Sequence, residues 1–237
     1  MLTITDYLKQ NPYPGRGILL GLTPDGSQAV LAYFIMGRSE NSRNRVFVES
    51  EDFKLKTEAH DPTKLTDPSL VIYTALSLLD NRVIVTNGDQ TDTIHEILRQ
   101  GGSFEQALHT RSYEPDSPHF TPRISGLITI VKNRLQYKLS ILKKGNGEDC
   151  QRFFYDYMEP QPGESHIIHT YLGDGSPLPC FAGEPVSLAT HNDIGSFTEE
   201  LWAALDKDNR VALHVRYINI ENYPVKQSRM LDRFNDN

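Results

Sequence analysis

Two pairs of apolar runs, each broken by a turn signal, constrain this chain most. GILLGL (17–22) and QAVLAYFIM (28–36) flank Thr-Pro-Asp-Gly, with Asp25-Gly26 at the bend. ISGLITIV (124–131) and LQYKLSILK (135–143) flank Lys132-Asn133-Arg134. Such runs, rich in β-branched and large apolar residues and joined by short polar turns, read as antiparallel hairpins. The run at 28–36 has little alternation, which fits a strand covered on both faces. RVFVES (45–50), RVIVTNG (82–88), HIIHTYL (166–172) and RVALHVRYINI (210–220) read as further strands. Between them lie helical patterns. Residues 1–12 form a short helix or arm closed by Asn11-Pro12. Asp67 is read as a cap with Pro68 in the first turn of a helix running through LVIYTALSLL. Helices also follow over 92–100, stopped by Gly101-Gly102, over 104–111, and over 196–205, where Ser196 and Glu199 match a capping box. Antiparallel strands interleaved with a few helices predict an α+β layered fold. No internal repeat or linker divides the chain, so one domain is expected over 1–237, with 1–12 as an N-terminal arm.

Composition narrows the function classes. At 237 residues, 38% hydrophobic and 23% charged, the chain reads as soluble and globular. It has no apolar run of about 18 residues, so no membrane partner is expected. The N-terminus lacks the basic and apolar regions of a signal peptide, and two cysteines make no disulfide framework. A cytoplasmic protein is the expectation. A net charge of -7 argues against nucleic acid, which needs a clustered basic surface. The histidines show no metal-ligand spacing, so no metal site is expected. Whether the chain forms a homo-oligomer is left open.

Against that acidic background stands a cationic knot, RSENSRNRVF. It carries Arg38, Arg43 and Arg45 with Ser39, Asn41 and Asn44, at the end of the run VLAYFIMG and with Arg16 upstream. Guanidinium groups match phosphate oxygens bidentately, so a small anionic ligand fits better than a polyanion. The plain alternative is a solvated loop of arginines paired to acids. Three further polar groups fall near strand or helix ends. NGDQTDT (87–93) joins a strand to a helix, and its amides and hydroxyls suit an anion or a ribose; the alternative is an ordinary capped turn. SYEPDSPHFTPRI (112–124) brings Glu114 and Asp116 close to Arg123, or is a proline-stiffened loop with a local ion pair. Tyr73 is a hydroxyl in an otherwise apolar helix, or a satisfied core tyrosine. No G-x-S-x-G elbow, P-loop or dinucleotide glycine pattern is present.

Taken in order, these segments resemble the archaeal-type IMP cyclohydrolase family. The matching pieces are PGRGILLG, RSENSRNR, Asp67-Pro68 with Tyr73, VTNGDQTDTI, then Tyr113, Glu114 and Asp116, then Thr121-Pro122-Arg123-Ile124. They cover roughly residues 13 to 135. The chain departs from the family in its residues before the glycine–arginine element, in an extra Asn-Arg pair in the loop, and in a longer C-terminal part. Either Arg43 or Arg45 therefore matches the loop arginine. The resemblance implies a four-layer αββα sandwich of N-terminal-nucleophile-hydrolase type, used without the nucleophile, since Tyr13-Pro14-Gly15-Arg16 precede the first strand. It implies closure of 5-formamidoimidazole-4-carboxamide ribonucleotide to IMP with loss of water, in purine synthesis, on a small purine ribonucleotide and with no cofactor. The implied catalytic residues are Tyr73, Arg43 and Glu114. The implied substrate-binding residues are Arg38, Ser39, Asn41, Arg45, Asn87, Gly88, Asp89, Thr91, Asp116 and Arg123. Within this set, Glu114 or Asp116 is the proton acceptor and Arg123 orients it. The alternatives are a non-catalytic purine-nucleotide-binding protein and an amide hydrolase on the same fold.

Overall fold

The computed structural model describes residues 1–65, 68 and 70–235. The first half runs α1 (Ile4–Leu8), β1 (Arg16–Leu22), β2 (Gln28–Met36), α2 (Glu40–Arg43), β3 (Val46–Glu49), β4 (Leu55–Glu58), β5 (Thr74–Leu79), β6 (Arg82–Thr86), α3 (Gln90–Arg99) and α4 (Phe104–His109). The second half runs β7 (Arg123–Val131), β8 (Arg134–Lys144), β9 (Cys150–Tyr157), β10 (Glu164–His169), β11 (Val186–Ala189), α5 (Ile194–Ala204), β12 (Arg210–Asn219) and β13 (Lys226–Asp232). The strands form two sheets, β11-β10-β1-β2-β12-β13 and β3-β4-β5-β6-β7-β8-β9, and every pairing within them is antiparallel. Both hairpins form where the turn signals fall. In the β1–β2 turn the Asp25 carboxylate accepts from the Thr23 hydroxyl at 2.7 Å and the Ser27 amide at 3.0 Å. In the β7–β8 turn Lys132 and Asn133 both take positive φ, 51° and 59°, the geometry that suits the right-handed twist of the flanking strands.

Strand periodicity explains the layering. Along β2, Leu31, Tyr33 and Ile35 face one way into a core shared by both sheets, where they meet Leu76, Val85, Ile128 and Leu139. The intervening Val30, Ala32, Phe34 and Met36 face the other way, against Ile4 and Leu8 of α1 and Phe197 and Leu201 of α5. A strand covered on both faces has no polar face to alternate, which is why this run reads as continuously apolar. The second sheet is covered on its outer side in the same way, Ile84, Leu127 and Leu142 packing against Ile94 and Leu98 of α3 and Phe104 and Leu108 of α4. The two sheets approach closely at Gly126, where an added Cβ would lie 3.0 Å from both Leu20 and Val85.

Several expectations need correction. The helix expected from Pro68 through Leu79 is not formed. Val71 and Ile72 each bond back to the Pro68 carbonyl in one turn, and Thr74–Leu79 then continues as β5, paired with β6. A β-hairpin through Asp80-Asn81 gives that apolar run a long-range partner, and this tertiary pairing overrides its helical pattern. The expected cap, Asp67, lies outside the described residues. Helix α5 starts at Ile194, not Ser196: Asp193 caps it, accepting from the Ser196 amide at 2.8 Å. The expected strand at 166–172 begins earlier and ends at His169. No helix among the described residues is long and apolar enough to cross a membrane.

Candidate active site

A cavity of about 230 Å³ opens where β1 begins and β2 ends. Arg16 comes from the first residue of β1, and Arg38 from the residues after β2. Ser39 and Ser42 cap α2 reciprocally, each side chain accepting from the other's amide at 3.0–3.1 Å, and this fixes the chain's path into Arg45. From the second half, Asp116, His119, Thr121, Tyr171 and Leu178 complete the wall, with Tyr13 from the segment before β1.

The electrostatics deep in this cavity are unusual. Arg45 is 1% exposed; its Nε donates to the Ser42 carbonyl at 2.8 Å, and its Nη1 has no hydrogen-bond partner among the described residues. Burial and the nearby Arg16 charge both lower its pKa. Arg16 lies 3.6 Å from the carboxylate of Glu114, itself 1% exposed. Burial alone would lower Arg16, but the charge of Glu114, followed by Tyr73, Tyr171 and Tyr33, outweighs it and raises the guanidinium pKa. Burial pushes the Glu114 carboxyl up, against the pull of Arg16 and Arg123. Glu114 Oε2 and Arg16 Nε also lack hydrogen-bond partners among the described residues. Two buried guanidinium groups thus share one buried carboxylate. Unpaired buried charge is costly, so this pocket is built to receive a group that carries or develops negative charge.

Hydroxyls surround the charges. Tyr33 and Tyr73 share a hydrogen bond at 2.7 Å, and both feel the charges of Arg16 and Arg45. Burial, followed by the neighbouring Tyr73, raises the Tyr33 pKa. The Tyr171 hydroxyl sits 2.5 Å from that of Thr121, which is bound in turn to Asp116. Tyr171 stacks on Tyr13, and Arg38 lies over the Tyr13 ring at 5.2 Å while bonding Asp174 and, at 3.0 Å, the Gly175 carbonyl.

The model of a family described as IMP cyclohydrolase-like protein matches residues 13–222. The chain belongs to the IMP cyclohydrolase-like family. Curated relatives agree. An IMP cyclohydrolase of Methanopyrus kandleri is 28% identical over 67% of this chain and 75% of its own length. One of Methanosphaera stadtmanae is 32% identical over 67% of this chain and 73% of its own. One of Methanocaldococcus jannaschii is 26% identical over 57% and 70%. The family match runs well past residue 135 to residue 222, so the strands through β12 belong to the family framework, while β13 lies beyond the match.

Seen against this IMP cyclohydrolase-like framework, the expected site residues separate into groups. Arg38, Ser39, Arg45 and Asp116 line the cavity, while Glu114 and Tyr73 stand behind its deep end. Tyr73 does so from the residue before β5, not from a helix. Arg43 turns away, its Nε donating to the Gly37 carbonyl and its Nη2 to Asn209, both at 2.9 Å, and it lines a different cavity. Asn41 lines neither. The NGDQTDT segment is bound up with itself and its neighbours. The Asn87 carboxamide joins the Pro122 carbonyl at 2.9 Å and the Ile124 amide at 2.8 Å. The Thr91 hydroxyl meets that of Thr86 at 2.7 Å. Asp89 pairs with Arg111 at 2.5 Å and Arg123 at 2.7 Å; burial opposes its ionisation, but the two arginines hold its pKa below the usual value. Arg123 therefore makes its ion pair with Asp89, not with Asp116, and reaches Glu114 as a nearby charge without a direct pair among the described residues. It crosses Gly88, where a Cβ would lie 2.5 Å from its Nη1. Tyr13, Tyr33, Thr121, His119 and Tyr171 were missed. Tyr33 is hidden in an apolar strand, and Tyr171 reaches the site only through the β1–β10 pairing. Arg16 had a signal, a Gly-Arg before the first strand. Among the described residues no cluster of His, Cys, Asp and Glu has the grouping of a metal site.

Proposed function

We propose that this chain is an IMP cyclohydrolase, closing 5-formamidoimidazole-4-carboxamide ribonucleotide to IMP with loss of water. The observation that carries the reading is the buried Arg16–Glu114–Arg45 group beside the Tyr33–Tyr73 hydroxyl pair. Family membership supports it. The reaction is intramolecular. The carboxamide nitrogen attacks the formyl carbon, a C–N bond forms, and the carbonyl electron pair moves to oxygen. The nitrogen loses one proton and the oxygen gains one, giving a carbinolamine. Water then leaves with that hydroxyl and the proton of the former formamide nitrogen, which becomes doubly bonded to the new ring carbon. A carboxamide nitrogen is a poor nucleophile, so a near-attack pose, stabilisation of the oxyanion and a proton carrier are all needed.

In this reading Arg38, a third exposed at the cavity mouth, meets the phosphate. Arg45 and the Tyr73 hydroxyl meet the developing oxyanion at depth. Glu114 carries the proton, its raised pKa suiting both acceptance and return. Arg16 keeps Glu114 ionisable despite burial. Asn87, Gly88, Asp89, Thr91 and Arg123 form the scaffold behind Glu114 rather than a ribose contact, and Asp116 acts through Thr121 and Tyr171. Arg43 has no part in this scheme. The fold reads as an αββα sandwich of N-terminal-nucleophile-hydrolase type in which Arg16 stands where a nucleophile would begin the first strand. We take the chain as one domain with a packed N-terminal arm, acting in the cytoplasm without a cofactor. Purified protein incubated with the formylated ribonucleotide, with product resolved by chromatography, tests the reading. IMP formed well above the uncatalysed rate is the expected result; no IMP, with the precursor bound, would leave a nucleotide-binding protein instead.

A further inference from the structure

Arg43 faces the far side of α2. A cavity of about 630 Å³ there is lined by Arg43, Lys64, Arg233, His60 and Phe234, among others. A second hollow of about 560 Å³ shares Arg43 and Arg233 with it and adds Lys207. Both fall within the roughly 300–1,000 Å³ range of small-molecule sites. Among the described residues Arg43 bonds the neutral acceptors Gly37 and Asn209. The hydrogen bond of Arg233 goes to the Asp208 carbonyl at 3.5 Å. Neither arginine is paired to a carboxylate among the described residues. Burial, and then the Arg43 charge, lower the Arg233 pKa, so the two guanidinium groups crowd each other. The acids nearby are committed or exposed, and the exposed Asp208, which lines the second hollow, partly offsets the lowering at Arg233. Asp61 accepts from the Thr63 amide and hydroxyl, and Glu40 sits 3.6 Å from Lys64 with both side chains in solvent. Beside the cations, the His60 and Phe234 rings stack at 3.6 Å and 5°, forming a flat aromatic step.

We propose that this groove is a second ligand site, separate from the catalytic cavity, that binds a nucleoside polyphosphate. Arg43, Arg233 and Lys207 take the phosphates, and the base lies against the His60–Phe234 pair. Helix α2 is the shared wall. Ser39 and Ser42 line the catalytic side, while Glu40 and Arg43 line this one.

Calorimetric titration of the full chain with ATP and, separately, with inorganic pyrophosphate tests the proposal. ATP should saturate one site in the wild type. Affinity should fall about tenfold or more in Arg233→Ala/Lys207→Ala, since charged hydrogen bonds are lost. Arg38→Ala, in the other cavity, should leave ATP affinity intact, and Phe234→Ala should weaken ATP but not pyrophosphate. If the double variant fails to fold, Lys207→Glu at an exposed position carries the same test. No saturable ATP binding, unchanged affinity in the double variant or in Lys207→Glu, or loss of binding in Arg38→Ala would overturn the site. Pyrophosphate binding as tightly as ATP would overturn the nucleoside assignment.

Discussion

Glu114 brings a buried carboxyl to the site and Tyr73 a buried hydroxyl. The carboxyl of Glu114 is held above its usual pKa by desolvation, while Arg16 and Arg123 keep it within reach of ionisation. An acid whose folded pKa exceeds its unfolded one is better tolerated protonated. Its effect on stability is therefore nil at low pH, and it costs stability progressively as pH rises from about 4.5 through the raised value. Glu114→Gln should accordingly match the wild type in urea midpoint at pH 4 and exceed it at neutral pH. Turnover should drop by roughly 10²–10⁴-fold, the usual reach of general acid–base catalysis. A variant more stable yet equally active would remove Glu114 from the chemistry. For Tyr73→Phe the ring volume is kept and only the bond to Tyr33 is lost, at a cost of about 0.5–1.5 kcal/mol. If the hydroxyl meets the oxyanion, kcat should fall roughly 10²–10³-fold with little change in ligand affinity. Near wild-type kcat with a lowered Tm would return it to the core.

At the scale of elements, what could be read in advance was what local chemistry decides. The β1–β2 and β7–β8 hairpins were legible because turn residues and flanking apolar runs agree. Helix α3 was legible because Gly101-Gly102 end it. The strands β4, β9, β11 and β13 were not, since LKTE, CQRFFYDY, VSLA and KQSRMLD lie at or near sheet edges and hold few continuous apolar residues. Strand β5 reads as a helix in the sequence because TALSLL satisfies both periods, and only its pairing with β6 decides. The site shows the same division. The cationic loop was visible, but whether Arg43 or Arg45 turns inward depends on the short helix α2, which four polar residues do not announce. The NGDQTDT turn was visible as a polar strand–helix junction, yet its groups are spent on Arg123, Pro122 and Ile124. That junction makes its own prediction. In Gly88→Ala the new methyl would meet Arg123 and Gln90 at 2.5 and 2.7 Å, forcing Arg123 off Asp89. Overpacking of this kind costs about 1–3 kcal/mol. The Tm should fall, and kcat should fall with it as the charge behind Glu114 shifts. An unchanged Tm would show that Arg123 moves freely.

Across the whole molecule, two histidines buried far apart on the first sheet govern its response to acid. His169 has its Nδ1 2.9 Å from the Tyr171 carbonyl and its Nε2 2.6 Å from the Tyr7 hydroxyl. A carbonyl only accepts, so Nδ1 carries the hydrogen and Tyr7 donates; the ring thereby ties α1 to the wall of the active site. Burial lowers its pKa to about 4. His214 is wholly buried and neither nitrogen has a hydrogen-bond partner among the described residues; the Glu49 carboxylate lies 3.8 Å from its Nε2 but is held by Arg216 and Lys226, and burial followed by the Arg216 charge lowers the His214 pKa to about 3. Both are neutral when folded and must take a proton on unfolding below about pH 6.5. The unfolded chain then binds more protons, so stability is full above pH 6.5 and is lost as pH falls towards the folded values. Each histidine steepens the slope by up to about 1.4 kcal/mol per pH unit, hence on the order of 2 kcal/mol between pH 6.5 and 5. Glu114 works in the opposite direction over part of this range, but burial also lowers the pKa of the partly buried His166, so one carboxyl is set against three histidines and the net slope stays positive. Urea midpoints should therefore fall steadily from pH 7 to pH 5. His169→Asn and His214→Leu should each flatten that slope measurably, whatever their stability at pH 7. A variant with the wild-type slope would mean that its histidine is already charged, or solvated, in the folded protein.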